Sequence, residues 1–156
     1  AEASGLIYQL KPFSTNATKT LTKSPKLYFC DTGLAAYLCG FSTAEEMQRY
    51  TSAGAFFETF VITEILKSWR HNGLEPDLYY YRDAKKQSEI DLLIHANGMY
   101  YPVEIKMSEQ PNISMTRHFS ELDNLGVKRG FGAVICNCPS HRYLSDTVIA
   151  HSIWQI

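Results

Sequence analysis

Asn97-Gly98 constrains the fold of this chain more than any other pair of residues in it. A two-residue type I′ turn needs positive φ at both central positions, and Asn-Gly between alternating apolar segments is the strongest short hairpin signal. Here it separates SEIDLLIHA from MYYPVEIK, so a β-hairpin is expected over residues 88–106. Pairing Ala96 with Met99 sets the register: Asp91 falls opposite Glu104 and Glu89 opposite Lys106, four side chains on one face. Ile90, Leu92, Ile94, Val103 and Ile105 then form the apolar face a core would want. Pro102 comes opposite Leu93, where its missing N–H need not break the pairing.

Asp91 and Glu104 would form a non-hydrogen-bonded pair, whose Cα atoms approach to about 4.5 Å. Like charges at that range destabilise a sheet, and nothing in folding requires them there. A raised pKa on one acid, a divalent cation between the two, or a neighbouring base such as Lys106 would each offset the cost. A solvated face with a Glu89–Lys106 salt bridge would be ordinary, and a slip or bulge near Tyr100-Tyr101 would move the acids apart.

The longest helical pattern is GAFFETFVITEILKSWRHNG, with Phe57, Val61, Glu64/Ile65 and Trp69 at helical spacing and Asn72-Gly73 as its stop. Glu58 shares a side with Ile62, Ile65 and Trp69, so this third acid is expected to point inward, where an acid needs a partner. Before it, a strand at Leu27 to Cys30 leads to Asp31 as the cap of a helix ended by Gly40. Ser42 with Glu45 offers a capping box for a second short helix. DLYYYRD reads as a strand, NISMTRHFSELDNLG as an amphipathic helix with Ile113, Phe119 or Leu122, and Leu125 inward, and GFGAVICN and TVIAHSIWQI as two more strands. The fold class expected is α/β (α+β), a sheet with helices on its faces.

Residues 14–25, STNATKTLTKSP, read as a connector, which puts a boundary near residue 20 between an opening segment (1–20) and the main domain (21–156). The opening EASGLIYQL has the look of a helix end, a Gly stop and a strand cut from a longer chain. Fifteen Lys+Arg against sixteen Asp+Glu give a net charge of −1, which lacks the basic footprint of a self-sufficient nucleic-acid binder. Cys30, Cys39, Cys136 and Cys138 have no zinc-site spacing and read as free thiols of a reducing compartment. With no apolar run of membrane-spanning length and no leader, a cytoplasmic location and no membrane partner are expected.

Asp91, Glu104-Ile105-Lys106 on the next strand and Glu58 on the preceding helix together resemble the PD-(D/E)XK superfamily of restriction-endonuclease-like nucleases. Over nearly the whole chain, SGLIYQLKPF, SPKLYFCDTGLAAYL, GAFFETFVITEIL, YYYRD, SEIDLLI and YPVEIKMS resemble the C-terminal domain of predicted prokaryotic AAA-type ATPases, a family similar in fold to those nucleases. The resemblance implies a restriction-endonuclease-like mixed β-sheet flanked by helices, with residues 1–20 as the tail of a winged-helix-like segment after an N-terminal ATPase portion. No Walker A pattern occurs in these 156 residues, so the chain is not itself that ATPase.

By the same resemblance, Asp91 and Glu104 would bind Mg²⁺ or Mn²⁺, with Glu58 a further ligand directly or through water and the Ile105 carbonyl in the metal shell. Lys106 would orient the attacking water in phosphodiester hydrolysis. The Pro of the superfamily name is absent, since Ile90 precedes Asp91. The implied partner is nucleic acid, DNA before RNA, with Arg82, Lys85, Lys86 and Arg117 as phosphate-contact candidates. Tyr79, Tyr80 and Tyr81 could stack on bases, but an aromatic strand is more often core. A catalytically inactive nuclease-like module for DNA docking or protein interaction, or a satisfied charge network, are the alternatives.

Overall fold

A computed structural model describes residues 5–15 and 24–155. An eight-stranded mixed sheet organises the chain, in the order β2-β1-β3-β4-β5-β6-β8-β7. The strands are β1 Ile7–Pro12, β2 Lys26–Phe29, β3 Asp77–Asp83, β4 Ser88–Ala96, β5 Met99–Lys106, β6 Gly132–Cys136, β7 Arg142–Ser145 and β8 Val148–Ser152. The helices are α1 Thr32–Leu38, α2 Ala44–Arg49, α3 Ala53–His71 and α4 Glu121–Asn124, with a 3₁₀ turn at Ile113–Thr116. This is the mixed α/β architecture expected from the alternation of strand and helix patterns.

β1 lies inside the sheet, antiparallel to β2 and parallel to β3, so Ile7–Pro12, read from sequence as the tail of a preceding segment, packs with the main domain. Most of the connector expected at 14–25, residues 16–23, lies outside the described residues. Among the described residues no helix is long and apolar enough to cross a membrane.

The core is split by the sheet. On one face Val61, Ile62 and Ile65 of α3 pack against Leu10, Leu78, Leu92, Val103, Ile105 and Ile135. On the other, Phe119 and Leu122 cover Ile90, Leu93, Val134 and Val148. β4, with residues 90–93 buried on both sides of the sheet, is its centre.

Local signals account for most element ends. Asp31 caps α1 by accepting from the Leu34 N–H at 2.9 Å, and Gly40 follows the helix with φ +82°. The capping box of α2 sits one residue later than expected: Thr43 Oγ1 accepts from Glu46 N–H at 3.2 Å, and Glu46 Oε2 accepts from Ser42 N–H at 2.8 Å. Ser42-Thr43 followed by Glu45-Glu46 makes both frames possible from sequence, and the downstream pair wins. The helix expected over 112–126 is instead a 3₁₀ turn and a single turn of α4, and Ile113 is exposed, not inward. Ile113, Ser114, Thr116, His118 and Ser120 are indifferent helix formers, so burial of Phe119 and Leu122 sets the path. The sequence reading also missed the edge strand β7.

Asn97 (φ 52°) and Gly98 (φ 71°) make the turn between β4 and β5, and Ala96↔Met99 through Leu92↔Val103 pair in the expected register. Gly98→Ala would put a Cβ into the left-handed region and is expected to lower the unfolding free energy by about 1 kcal/mol, read from denaturant midpoints.

Candidate functional site

The hairpin keeps its register but not its closure. Described β4–β5 pairing ends at Leu92↔Val103, and beyond it the Asp91 carboxylate, not a backbone carbonyl, takes the Ile105 N–H at 2.8 Å. A β-bulge explains the change. Tyr79↔Leu93 is followed by Tyr81↔Ile90, so β4 spends three steps against two of β3 around Asp91 and Leu92. An extra residue bends the strand and re-aims its side chains. Ile90 therefore packs with Leu93, on the face opposite Leu92, which corrects the expectation of one apolar row through Ile90, Leu92 and Ile94.

Glu89 is turned by the same bulge. Its expected partner was Lys106. It pairs instead with Arg82 at 3.0 Å, its neighbour across β3, and with Lys26 of β2 at 2.7 Å.

Asp91 and Glu104 are 8% and 7% exposed, yet both are acids. Lys106 spans them, 2.7 Å from Glu104 Oε1 and 3.5 Å from Asp91 Oδ2. Burial pushes the Asp91 carboxyl up, with Lys106 and the Ile105 N–H pulling against it and Glu58 adding to it. Burial and then the Asp91 charge push Glu104 up to about 7, again against Lys106. Burial works against the Lys106 charge, but the two acids outweigh it and hold the ammonium above its ordinary range. Glu104 Oε2 is left buried with no hydrogen-bond partner among the described residues. An orphaned buried acceptor costs about 1–3 kcal/mol, so the arrangement holds a site at the expense of stability.

Glu58 faces the sheet as expected of an inward acid. It meets β2 there: its Oε1 accepts from the Tyr28 hydroxyl at 2.6 Å and from Lys26 Nζ at 3.1 Å. Alternation along KLYF puts Lys26 and Tyr28 on this side and leaves Leu27 and Phe29 exposed on the other. Among the described residues no three His, Cys, Asp or Glu side chains form a ready-made metal cage.

A cleft of about 430 Å³ opens over Glu89, Asp91, Glu104 and Lys106, and Arg117 and His118 wall it from the segment after the 3₁₀ turn. Arg117 Nε donates to His118 Nε2 at 3.0 Å. Of the four basic residues expected to contact phosphate, Arg117 lines this cleft and Arg82 reaches its edge through Glu89. Lys86 is drawn to Glu121 at 2.6 Å, and Lys85 lies exposed on the same turn. Tyr80 and Tyr81 are buried and Tyr79 half-buried, the core reading of the aromatic strand. Lys26, Tyr28 and His118 were not singled out by sequence. The alternation of β2 carried the signal for the first two, but not which strand face would meet α3. The four cysteines are free thiols, Cys136 and Cys138 buried, Cys30 half-buried and Cys39 exposed.

The chain is 34% identical over 152 residues to an uncharacterized protein of Mycobacterium tuberculosis and equally to one of Mycobacterium bovis. These alignments take in 97% of this chain but 32% of each relative, so the chain spans about a third of the length of the curated relatives it matches. No solved structure matches it. Residues 1–45 match the model of a second domain of unknown function, DUF8612. Residues 53–156, with α3, the hairpin and every acid of the cleft, match that of DUF4143, and the chain belongs to this family of domains of unknown function.

Proposed function

We propose that this domain is a metal-dependent phosphodiesterase acting on nucleic acid, DNA before RNA, within a longer protein whose N-terminal portion is an AAA-type ATPase. The observation that carries the reading is the orphaned Glu104 Oε2, buried opposite Asp91 at the end of an open cleft. Two hard carboxylates fit Mg²⁺ or Mn²⁺, which take one or two protein carboxylates and fill their shell with water and substrate phosphate. When bound, such an ion supplies a nucleophilic water at neutral pH and charge stabilisation at the scissile phosphate.

The chain's own residues do the rest. Asp91, fixed by the Ile105 N–H, and Glu104, fixed by its strand, hold the oxygen donors in place without a flexible loop. Lys106, 44% exposed at the mouth, can leave its longer contact to Asp91 and present its ammonium to the attacking water or a phosphate oxygen. Arg117 stands across the cleft as a phosphate contact. Four free thiols suit a reducing cytoplasm.

One observation favours a non-catalytic module for docking DNA or protein: Lys106 already bridges both acids, so each carboxylate has a cationic partner without any metal. Calorimetric titration of Mn²⁺ separates the two. Binding by the wild-type chain that disappears in Asp91→Ala/Glu104→Ala is expected. Absence of binding by the wild type even at millimolar Mn²⁺ would sink the enzyme reading and leave the module.

A further inference from the structure

Two lysines sit in the acidic cluster, and they are held differently. Lys106 is half exposed, on the last residue of β5, with one short contact and one of 3.5 Å. Lys26 is 21% exposed and has two short contacts, 2.7 Å to Glu89 and 3.1 Å to Glu58, which use two of its three ammonium donors. Its Nζ also stands 5.3 Å from the centre of the Tyr80 ring, within cation–π range. Its backbone is fixed by the ladder with β1, where Lys26 pairs with Leu10. Tyr28, two residues on, donates to the same Glu58 oxygen.

The cluster thus has two halves. In the Asp91–Glu104 half, the buried Glu104 Oε2 has no hydrogen-bond partner among the described residues. Glu58 and Glu89 have their charge met by an ammonium that cannot swing into solvent without abandoning both acids and the ring. The halves are close enough that Glu58 and Lys26 both act on the Asp91 charge. A divalent cation entering the second half would have to displace Lys26 from two short contacts. One entering the first half meets Lys106, a half-exposed ammonium with a single short contact that can turn toward solvent, and finds Glu104 Oε2 without a hydrogen-bond partner among the described residues.

We infer that Lys26 is a resident, protein-borne cation that fills the Glu58–Glu89 half of the cluster, so that the chain takes one divalent ion, on the Asp91–Glu104 half. This rests on the metal-binding reading proposed above and adds to it the stoichiometry and the residue that sets it. Many phosphodiester-cleaving sites hold two ions a few ångströms apart. Here the geometry gives the second position to a lysine, and Glu58 becomes an acid that positions Lys26.

The test is Mn²⁺ stoichiometry by calorimetry and by paramagnetic broadening of water protons, on wild type, Lys26→Met and Lys26→Arg. The wild type and Lys26→Arg are expected to bind one ion per chain and Lys26→Met two. One ion in a folded Lys26→Met, or two in the wild type, would overturn the inference while leaving the metal site standing. No ion in the wild type would overturn the metal reading and this inference with it. Should Lys26→Met not fold, Glu58→Gln decides: its Mn²⁺ affinity is expected to stay within about threefold of wild type, the scale of a screened neighbouring charge. A loss of about tenfold or more, the scale for a group that holds the ion directly or through one of its ligands, would tie Glu58 to the ion and sink the proposal.

Discussion

In metal-free buffer near pH 8, Glu104→Gln is expected to stabilise the domain, by on the order of 2–3 kcal/mol. For a chain of this size that is roughly 5–10 °C in melting temperature. The folded state holds the Glu104 carboxyl at about 7 against an ordinary 4.5, through burial and the Asp91 charge. A raised acid favours folding only while it is protonated. Below about 4.5 both states carry the proton and Glu104 has no penalty; between 4.5 and 7 the unfolded chain ionises while the folded one resists; above 7 the folded state bears the whole cost. Gln removes that cost and still leaves Lys106 its contact with Asp91. The gain should therefore be complete above pH 7 and vanish near pH 4.5, and melting curves across that range measure it. An equal or lower melting temperature at pH 8 would mean that the Lys106 contact already offsets the cost of burying the Glu104 charge. The same variant should lose Mn²⁺ binding, the exchange of stability for a charged site seen where function sets the residue.

Leu92→Ala is expected to cost about 2–5 kcal/mol, the range for emptying a fully buried Leu position. Leu92 is 0% exposed in the central strand, in the cluster of Val61, Ile62, Val103 and Ile105. Sheet and α3 close on it from both sides, so little can collapse into the space. The denaturant midpoint should fall with m unchanged. Because Leu92 touches the site only through the bulge it shares with Asp91, the folded fraction should still bind Mn²⁺ in the same ratio as wild type. A loss of less than about 1 kcal/mol would show that the core relaxes around the bulge.

The hairpin and α3 were legible because their signals are local: Asn97-Gly98 sets a register, and Phe57, Val61, Ile65 and Trp69 set a face. Asp91, Glu104 and Lys106 came together on one side as expected, although the described pairing ends at Leu92↔Val103 and Asp91 meets the Ile105 N–H rather than facing Glu104. The partner of Glu89 was not legible, because it depends on a register shift between β3 and β4 around Asp91 and Leu92, and no residue there announces it. Lys26 was missed for a related reason. It is 63 residues from Glu89 in sequence and three strands away in sheet order, and only the packing of α3 and the β1–β2 ladder brings them to 2.7 Å. The segment 112–126 failed in the opposite way, since its apolar spacing looked helical while its residues lacked the propensity to hold one helix.

Asp91 also completes the sheet, because its carboxylate stands in for a missing strand carbonyl at the Ile105 N–H. The two acids of the site are then under unequal obligations. A descendant without the proposed metal chemistry would still need an oxygen acceptor at position 91, and Asn would serve. Position 104 carries no such duty, its second oxygen meeting no hydrogen-bond partner among the described residues, and would be free to drift to an apolar residue once no ligand required it. When relatives of this domain are compared, an oxygen acceptor at 91 therefore testifies to the fold, and it is the acid at 104 that testifies to use.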